Sequence, residues 1–186
     1  GGGVDYTLAA GTLTFDPNDV TKTIDISVVD DGLVESAETV EVTLSNPSNA
    51  TLGVNTVHTY TINDNDVYPS VDFDLTASSG DESVTPASLA VSLSAAYVET
   101  VTVDYAVTGG DATGGGVDYT LAAGTLTFDP NDLSKTVDIT IVNDSLVESD
   151  ETVEVTLSNP TNATLGANTV HTYTILDDDA VTILKV

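Results

Sequence analysis

The sequence predicts an all-β fold, an antiparallel β-sandwich in tandem repeat, and three observations carry that reading. Residues 1–66 return as residues 114–179 at an offset of 113, without a gap and with twelve differences over the 66 positions. Apolar residues alternate with small polar ones in short runs, the period-2 signature of strands with one buried face. Between the runs stand clusters of Gly, Pro, Asn and Asp, the residues that supply turn geometry.

In chain order, Leu89, Val91 and Leu93 make the first clear run, and Val101, Val103, Tyr105 and Val107 the second. Val137, Ile139 and Ile141 follow, then Val153, Val155 and Leu157, then His171, Tyr173 and Ile175. Breaks fall at Gly109-Gly110, Gly114-Gly115-Gly116, Asp129-Pro130-Asn131-Asp132, Asn159-Pro160 and Leu165-Gly166. About seven strands in roughly 110 residues fit a sandwich better than a solenoid. Thr and Val dominate the runs, and β-branched side chains favour the extended backbone. Most of the twelve differences are conservative, such as Val20 against Leu133 and Ile24 against Val137, which points to duplication within a longer array. The expected organisation is a C-terminal part of one repeat over 1–66 with its first strands missing, a complete repeat over 67–179, and the start of a following repeat or a terminal strand over 180–186. On this reading the chain is a window on a larger protein.

Composition removes several classes of function. Three Lys+Arg against thirty Asp+Glu give a net charge of −27, which repels a phosphate backbone or an anionic membrane surface. Nucleic acid is therefore not an expected partner. No apolar stretch approaches the ~18 residues of a membrane span, so no membrane insertion is expected in this segment. Cys, Met and Trp are absent, which excludes disulfides, thiolate metal sites and a cysteine nucleophile. With 40% apolar residues in alternating runs, the chain is equipped to fold despite its acidity.

The acids are concentrated rather than scattered. Asp30, Asp31, Glu35 and Glu38 recur as Asn143, Asp144, Glu148 and Glu151, and Asp64-Asn65-Asp66 recurs as Asp177-Asp178-Asp179. The first group lies on the loop before the run at Val153, and the second directly after the last run. In a sandwich these two loops can converge at one end. Hard cations such as Ca²⁺ take six to eight oxygen ligands from such carboxylates and carbonyls. Without a cation, two carboxylates ~5 Å apart at an effective dielectric of ~20 repel by about 3 kcal/mol. The alternative is a solvated acidic end that only confers solubility, although solubility does not require acids gathered at two corresponding loops.

Several motifs in order carry a family resemblance. Gly124-Thr-Leu-Thr-Phe-Asp-Pro130, Lys135-Thr136, Asn143-Asp-Ser-Leu-Val-Glu-Ser-Asp-Glu-Thr152, Thr156-Leu-Ser-Asn-Pro160 and the closing Asp177-Asp178-Asp179 resemble the Calx-beta domain. The resemblance covers about 71–179 and also 1–66. It implies an immunoglobulin-like sandwich that binds Ca²⁺ at one end. Carried over by residue, it implies ligands at Asp144, Glu148, Glu151, Asp177, Asp178 and Asp179, joined by Glu82 from Ser79-Gly80-Asp81-Glu82 and Asp111 from Gly110-Asp111-Ala112-Thr113. In the partial copy it implies Asp30, Asp31, Glu35, Glu38, Asp64 and Asp66. Asn143 and Asn65 depart from the pattern, since an Asn carbonyl ligates without charge and alters site number and affinity between copies.

Other signals are weaker. Gly114-Gly115-Gly116-Val117-Asp118 does not iterate as a calcium-binding nonapeptide does and lacks the Lys-Ser/Thr of a phosphate loop, so it is expected to be a flexible strand connection. His58 and His171 occupy equivalent strand positions without a nucleophile nearby, and 5% aromatics with no Trp leave little for a sugar-binding cleft. No enzyme activity is expected. The leading expectation is an extracellular or cell-surface stalk or fibre with an adhesive role, stiffened by Ca²⁺. Its partners would be neighbouring repeats of the same protein or other copies in a filament, joined by strand donation. The rivals are a regulatory Ca²⁺ sensor pair and an accessory binding module attached to a catalytic domain.

Overall fold

A computed structural model describes residues 4–180. The chain divides into two compact units, Gly1–Val67 and Tyr68–Val186. The segment 180–186 expected to open another repeat lies, after Ala180, outside the described residues.

The second unit is the immunoglobulin-like sandwich. Its strands are β5 (Ser70–Phe73), β6 (Ala77–Asp81), β7 (Ala87–Leu93), β8 (Val101–Gly110), β9 (Tyr119–Thr120), β10 (Gly124–Phe128), β11 (Ser134–Ile141), β12 (Glu151–Thr161), β13 (Thr164–Leu165) and β14 (Val170–Leu176). One five-stranded sheet runs β10-β8-β12-β14-β6 and the other β13-β5-β7-β11-β9. The five runs legible in the sequence are β7, β8, β11, β12 and β14, and their alternate residues form the core. Val91, Val103, Ile139, Val153 and Val155 are fully buried, together with Phe73 and Phe128. Burying each such side chain stabilises the fold by roughly 1.5–3 kcal/mol.

Two features depart from the sequence expectation. The leading segment is split, with β5 in one sheet and β6 in the other, although Val71, Phe73, Leu75 and Ala77 continue one alternation through it; Leu75 lies exposed in the bend between the two strands. The sandwich is also not wholly antiparallel, since β14 pairs with β6 and β13 with β5 in parallel. Between β8 and β12 the register shifts at Glu154/Val155, and beyond it, opposite Val153, Gly110 takes a φ of 105°. A side chain there would strike the Thr152 carbonyl, so the position requires glycine.

The first unit repeats only the trailing strands. It contains β1 (Tyr6–Thr7) paired with β2 (Ser27–Val28), and β3 (Glu38–Thr43) paired with β4 (Val57–Ile62), each pair a sheet of its own. The β3–β4 register, Val40 opposite Tyr60, reproduces Val153 opposite Tyr173 in β12–β14. Burial does not follow. Phe15 is 52% exposed where Phe128 is 0%, Tyr60 is 41% where Tyr173 is 4%, and Leu44 is 42% where Leu157 is 1%.

This matched pair of sites gives a direct test. Phe128→Ala should destabilise the second unit by about 3–5 kcal/mol, the usual effect of emptying a packed aromatic site. Phe15→Ala, the same substitution in the same local sequence, should change stability by less than about 1 kcal/mol. Urea unfolding followed residue by residue by NMR would check both, and equal effects would contradict the burial difference.

Candidate metal site

Strand direction places the acids. β14 ends at Leu176, and its parallel neighbour β6 ends beside it, with Leu176 opposite Asp81. Glu82 and Asp177-Asp178-Asp179 therefore emerge side by side. Antiparallel to β14, β12 begins at this end with Glu151 opposite Ile175. β8 finishes here with Gly110 opposite Val153, and β11 finishes with Ile141 opposite Tyr119 of β9. The β11–β12 loop with Asp144 and Glu148, the turn with Asp111, and the approach to β9 with Asp118 thus all open at one end.

Carboxylate oxygens of Glu82, Asp178 and Asp179 lie within 4.8 Å of one another. Glu82 is buried, an unusual state for a carboxylate. The Asp144 N–H donates to it, yet its Oε2 and the Oδ2 of Asp179 are both buried without a hydrogen-bond partner. Burial pushes the Glu82 carboxyl above its ordinary value, and the charges of Asp144, Asp177 and Glu148 add to that rise. Asp179 is raised by burial and by Asp177, Asp178 and Asp144, and Glu148 by burial and by Asp144, Asp118, Asp177 and Asp179. Glu151 is pushed up to about 7 by burial and by its hydrogen bond to Asp118. Below that value the hydrogen bond between Glu151 and Asp118 carries a proton. Among the described residues no basic side chain acts on these acids. The Asp144 turn is pinned by the Leu146 N–H donating to Asp144 Oδ1 at 2.7 Å, and the Asp179 N–H donates to Asp177 Oδ1 at 3.3 Å.

Orphaned carboxylate oxygens and carboxyls raised above their ordinary range are what a cation site shows when its charge is not compensated by the protein itself. Hard carboxylate donors with no sulfur or imidazole fit a hard divalent cation. Glu82, Asp178 and Asp179 are the residues placed to share one, with Asp144, Glu148, Glu151 and Asp118 facing the same space.

The first unit gathers the corresponding acids. Asp5, Asp30, Asp31, Glu35, Glu38, Asp64 and Asp66 line one pocket with Asn65. The N–H groups of Glu35 and Asp66 donate to Asp64 at 3.0 and 3.1 Å and hold its carboxyl below the ordinary range. Asp66 is raised by burial and by Asp64, Asp30, Asp31 and Glu35. Nothing in 1–66 corresponds to Glu82.

Two residues stand apart from the sequence reading. Asp111 Oδ1 accepts hydrogen bonds from both the N–H and the hydroxyl of Thr152 at 2.6 Å, so this carboxylate pins β8 to β12 at the acidic end. Asp118 was not among the expected ligands, because Gly114-Gly115-Gly116-Val117-Asp118 read as a connection. Instead the glycines form a turn, two of them with positive φ, that brings Asp118 against Glu151. Asp5 repeats this contact with Glu38. The exact recurrence of that acid in both copies was the available signal. His171 is buried with Nε2 at 2.7 Å from Ser78 Oγ and Nδ1 at 2.6 Å from the Leu75 carbonyl, so both ring nitrogens are engaged in joining β14 to the leading segment.

The family model of the Calx-beta domain matches residues 1–66 and 64–179. The chain belongs to the Calx-beta family. It is 27% identical over 176 residues to sodium/calcium exchanger 1 of Canis lupus familiaris, covering 85% of this chain and 18% of the exchanger. It is 28% identical over 194 residues to adhesion G-protein coupled receptor V1 of Danio rerio, covering 96% of this chain and 3% of the receptor. The chain thus spans less than a fifth of the length of either Calx-beta relative. Among solved structures, the apo-form Calx CBD1 domain shares the fold with a TM-score of 0.56 at 24% identity, covering 61% of this chain and all of that one. The calcium binding domain CBD12 of CALX1.1 matches with a TM-score of 0.55 at 25% identity, covering 59% of this chain and 44% of its own.

The raised carboxyls fix the sign of a pH dependence in the Calx-beta sandwich. A group whose folded value lies above its unfolded one binds a proton preferentially in the folded state. Its contribution is complete below the ordinary carboxylate range and is lost as pH rises through the folded value, about 7 for Glu151. Cation-free protein should therefore show a falling urea midpoint between about pH 5 and about pH 8. Glu151→Gln should flatten that slope, and an unchanged slope would contradict the assignment.

Proposed function

We propose that this chain is a pair of Ca²⁺-binding Calx-beta units whose acidic ends are ordered by the cation, serving as structural or adhesive repeats of an extracellular or cell-surface stalk. The observation that carries the Ca²⁺ reading is the pair of buried, partnerless oxygens on Glu82 and Asp179, set among further carboxylates on which, among the described residues, no basic side chain acts. Glu82, Asp144, Glu148, Glu151, Asp177, Asp178 and Asp179 would supply the oxygens in the second unit. Asp30, Asp31, Glu35, Glu38, Asp64 and Asp66 would do so in the first. Asp118 and Asp5 join them through their contacts with Glu151 and Glu38. Ca²⁺ would supply the positive charge that lets these acids ionise together. No residue in this reading has a catalytic role.

The stalk reading rests on the near-identity of the two trailing copies and the net charge of −27, with neighbouring repeats as partners. Millimolar Ca²⁺ outside cells fills even weak sites of this chemistry. A second reading, a regulatory Ca²⁺ sensor pair, is favoured by the similarity to an exchanger and to a two-domain calcium-binding structure. A sensor works by sites of submicromolar to micromolar affinity, a stalk by sites near millimolar. Titration calorimetry on the chain separates the two.

Chelation should lower the melting temperature of the second unit. A ligand at ~100 times its dissociation constant stabilises the folded state by about 2.7 kcal/mol, worth roughly ten degrees in a unit of this size. Glu82→Gln with Asp178→Asn should abolish the gain from Ca²⁺ while leaving the chelated protein as stable as before or more so, since two repelling carboxylates are gone. Melting indifferent to Ca²⁺, with no heat of binding, would leave only the solubilising role for the acids.

A further inference from the structure

Asp111 stands at the acidic end of the sandwich, yet its carboxylate is turned to another task. The oxygens that lie within 4.8 Å of one another belong to Glu82, Asp178 and Asp179, whereas Asp111 Oδ1 accepts from the N–H and the hydroxyl of Thr152, both at 2.6 Å. Two charge-assisted bonds occupy both lone pairs of that oxygen. The two segments are joined twice more, since the Asp111 N–H donates to Thr152 Oγ1 at 3.3 Å and the Ala112 N–H to the Thr152 carbonyl at 3.0 Å. Every polar atom of Thr152 is thus held by residues 111 and 112. Gly110 permits the approach, because a Cβ there would strike the Thr152 carbonyl.

What this clamp holds follows from its neighbours along the chain. Glu151 directly precedes Thr152, and Thr113 directly follows Ala112. The Thr113 N–H donates to Asp118 Oδ2, and the Asp118 N–H donates back to the Thr113 carbonyl at 3.0 Å. Asp118 is in turn hydrogen-bonded to Glu151. Chain and hydrogen bonds therefore close a ring that runs Glu151, Thr152, Asp111, Ala112, Thr113, Asp118 and back to Glu151. The Asp111 carboxylate is the side chain in that ring that fastens the start of β12 to the end of β8.

We propose that Asp111 is a positioning residue for the cation: by clamping Thr152 it sets the Glu151 and Asp118 carboxylates relative to each other, and it supplies no ligand oxygen itself. The proposal rests on the calcium reading above and takes Asp111 out of the ligand set that the family resemblance implies. Groups that orient ligands through hydrogen bonds typically cost 10–100-fold in metal affinity when removed. A ligand needs its charge, whereas a clamp needs only an oxygen that accepts. Asparagine keeps that oxygen and loses the charge, and alanine loses both.

The test is a chelator-buffered Ca²⁺ titration of the full chain followed by amide NMR. The second unit is read at the Leu146 and Asp179 amides, and the first at Leu33 and Asp66 as an internal reference. Asp111→Ala should weaken Ca²⁺ binding in the second unit by about tenfold or more. Asp111→Asn should weaken it by less than about threefold, the screened effect of one exposed charge. Should Asp111→Ala not fold, Thr152→Val removes only the hydroxyl bond and should weaken binding by about three- to fivefold. Asp104 provides the control for lost stability, since it lies about 20 Å back along β8 and also accepts two hydrogen bonds, from Thr125 Oγ1 at 2.6 Å and Asn159 Nδ2 at 3.2 Å. Asp104→Ala should leave Ca²⁺ affinity unchanged. In chelated protein, Asp111→Ala should speed amide exchange at Asp118 by about tenfold, with Asp111→Asn restoring it and Val137–Ile141 unaffected.

Equal losses from Asp111→Asn and Asp111→Ala would make Asp111 a ligand and overturn the proposal. Unaltered affinity in Asp111→Ala, or an equal loss from Asp104→Ala, would leave it a tie between strands and overturn the proposal as well. If the unaltered chain takes up no Ca²⁺, the calcium reading fails by itself. The hold of Asp111 on Asp118 is then decided in chelated protein, where faster exchange supports it and unchanged exchange overturns it.

Discussion

A sandwich buries each of its sheets only by means of the other, and the pairing of leading with trailing strands is the constraint from which the rest of this structure follows. β8 and β12 form the joint. Their register fixes where the chain turns, Gly110 lets the two backbones close opposite Val153, and Asp111 clasps Thr152 just beyond it. Where leading strands are present, the sequence from Gly114 to Asp179 buries Phe128 and Tyr173. Where they are absent, nearly the same sequence leaves Phe15 and Tyr60 in water. Burial here belongs to the assembly of halves, since local sequence is held constant between the two.

The same joint concentrates charge. Strands that must share one length of sandwich also end together, so loops leaving β6, β8, β11 and β14 meet at one rim whatever residues they carry. This chain places acids on every one of those loops. In water such acids would repel weakly, but at the rim Glu82 is buried and repulsion is screened less. In the cation-free fold this raises the carboxyls' affinity for protons, most clearly at Glu151, which is pushed up to about 7. A divalent cation and a set of shared protons are two solutions to one electrostatic problem, and they compete for the same oxygens.

The fold was legible because it rests on alternation and repetition. Val153, Val155 and Leu157, or Val137, Ile139 and Ile141, can bury a face only as strands. The split of the leading segment was not legible, since Val71, Phe73, Leu75 and Ala77 run through it as one alternation and the partner of β6 is β14, some ninety residues away. At the acidic end, clusters dense in sequence were found, whereas Asp118 was missed. It is a lone acid in a glycine run, and its value depends on a turn that brings it to Glu151. Asp111 was read by position alone, and only its bonds to Thr152 disclose that its carboxylate also ties two strands together. Sequence reports which acids are near each other along the chain, and topology decides which are near in space.

The differences between the copies bear on this end more than their number suggests. Three differences alter its charge, Asp30 against Asn143, Ala37 against Asp150 and Asn65 against Asp178, so the loop before the trailing strands keeps four acids in each copy while the closing triplet holds two in the first and three in the second. The triplet is where Glu82 approaches, within 4.8 Å of Asp178 and Asp179. In the first unit the triplet has Asn65 at that place, and Asp30 acts on Asp66 from the loop. The second unit therefore carries one more carboxylate at its acidic end, and it carries it on the triplet that Glu82 approaches. Of the twelve substitutions, three set how many carboxylates each acidic end holds and where they stand.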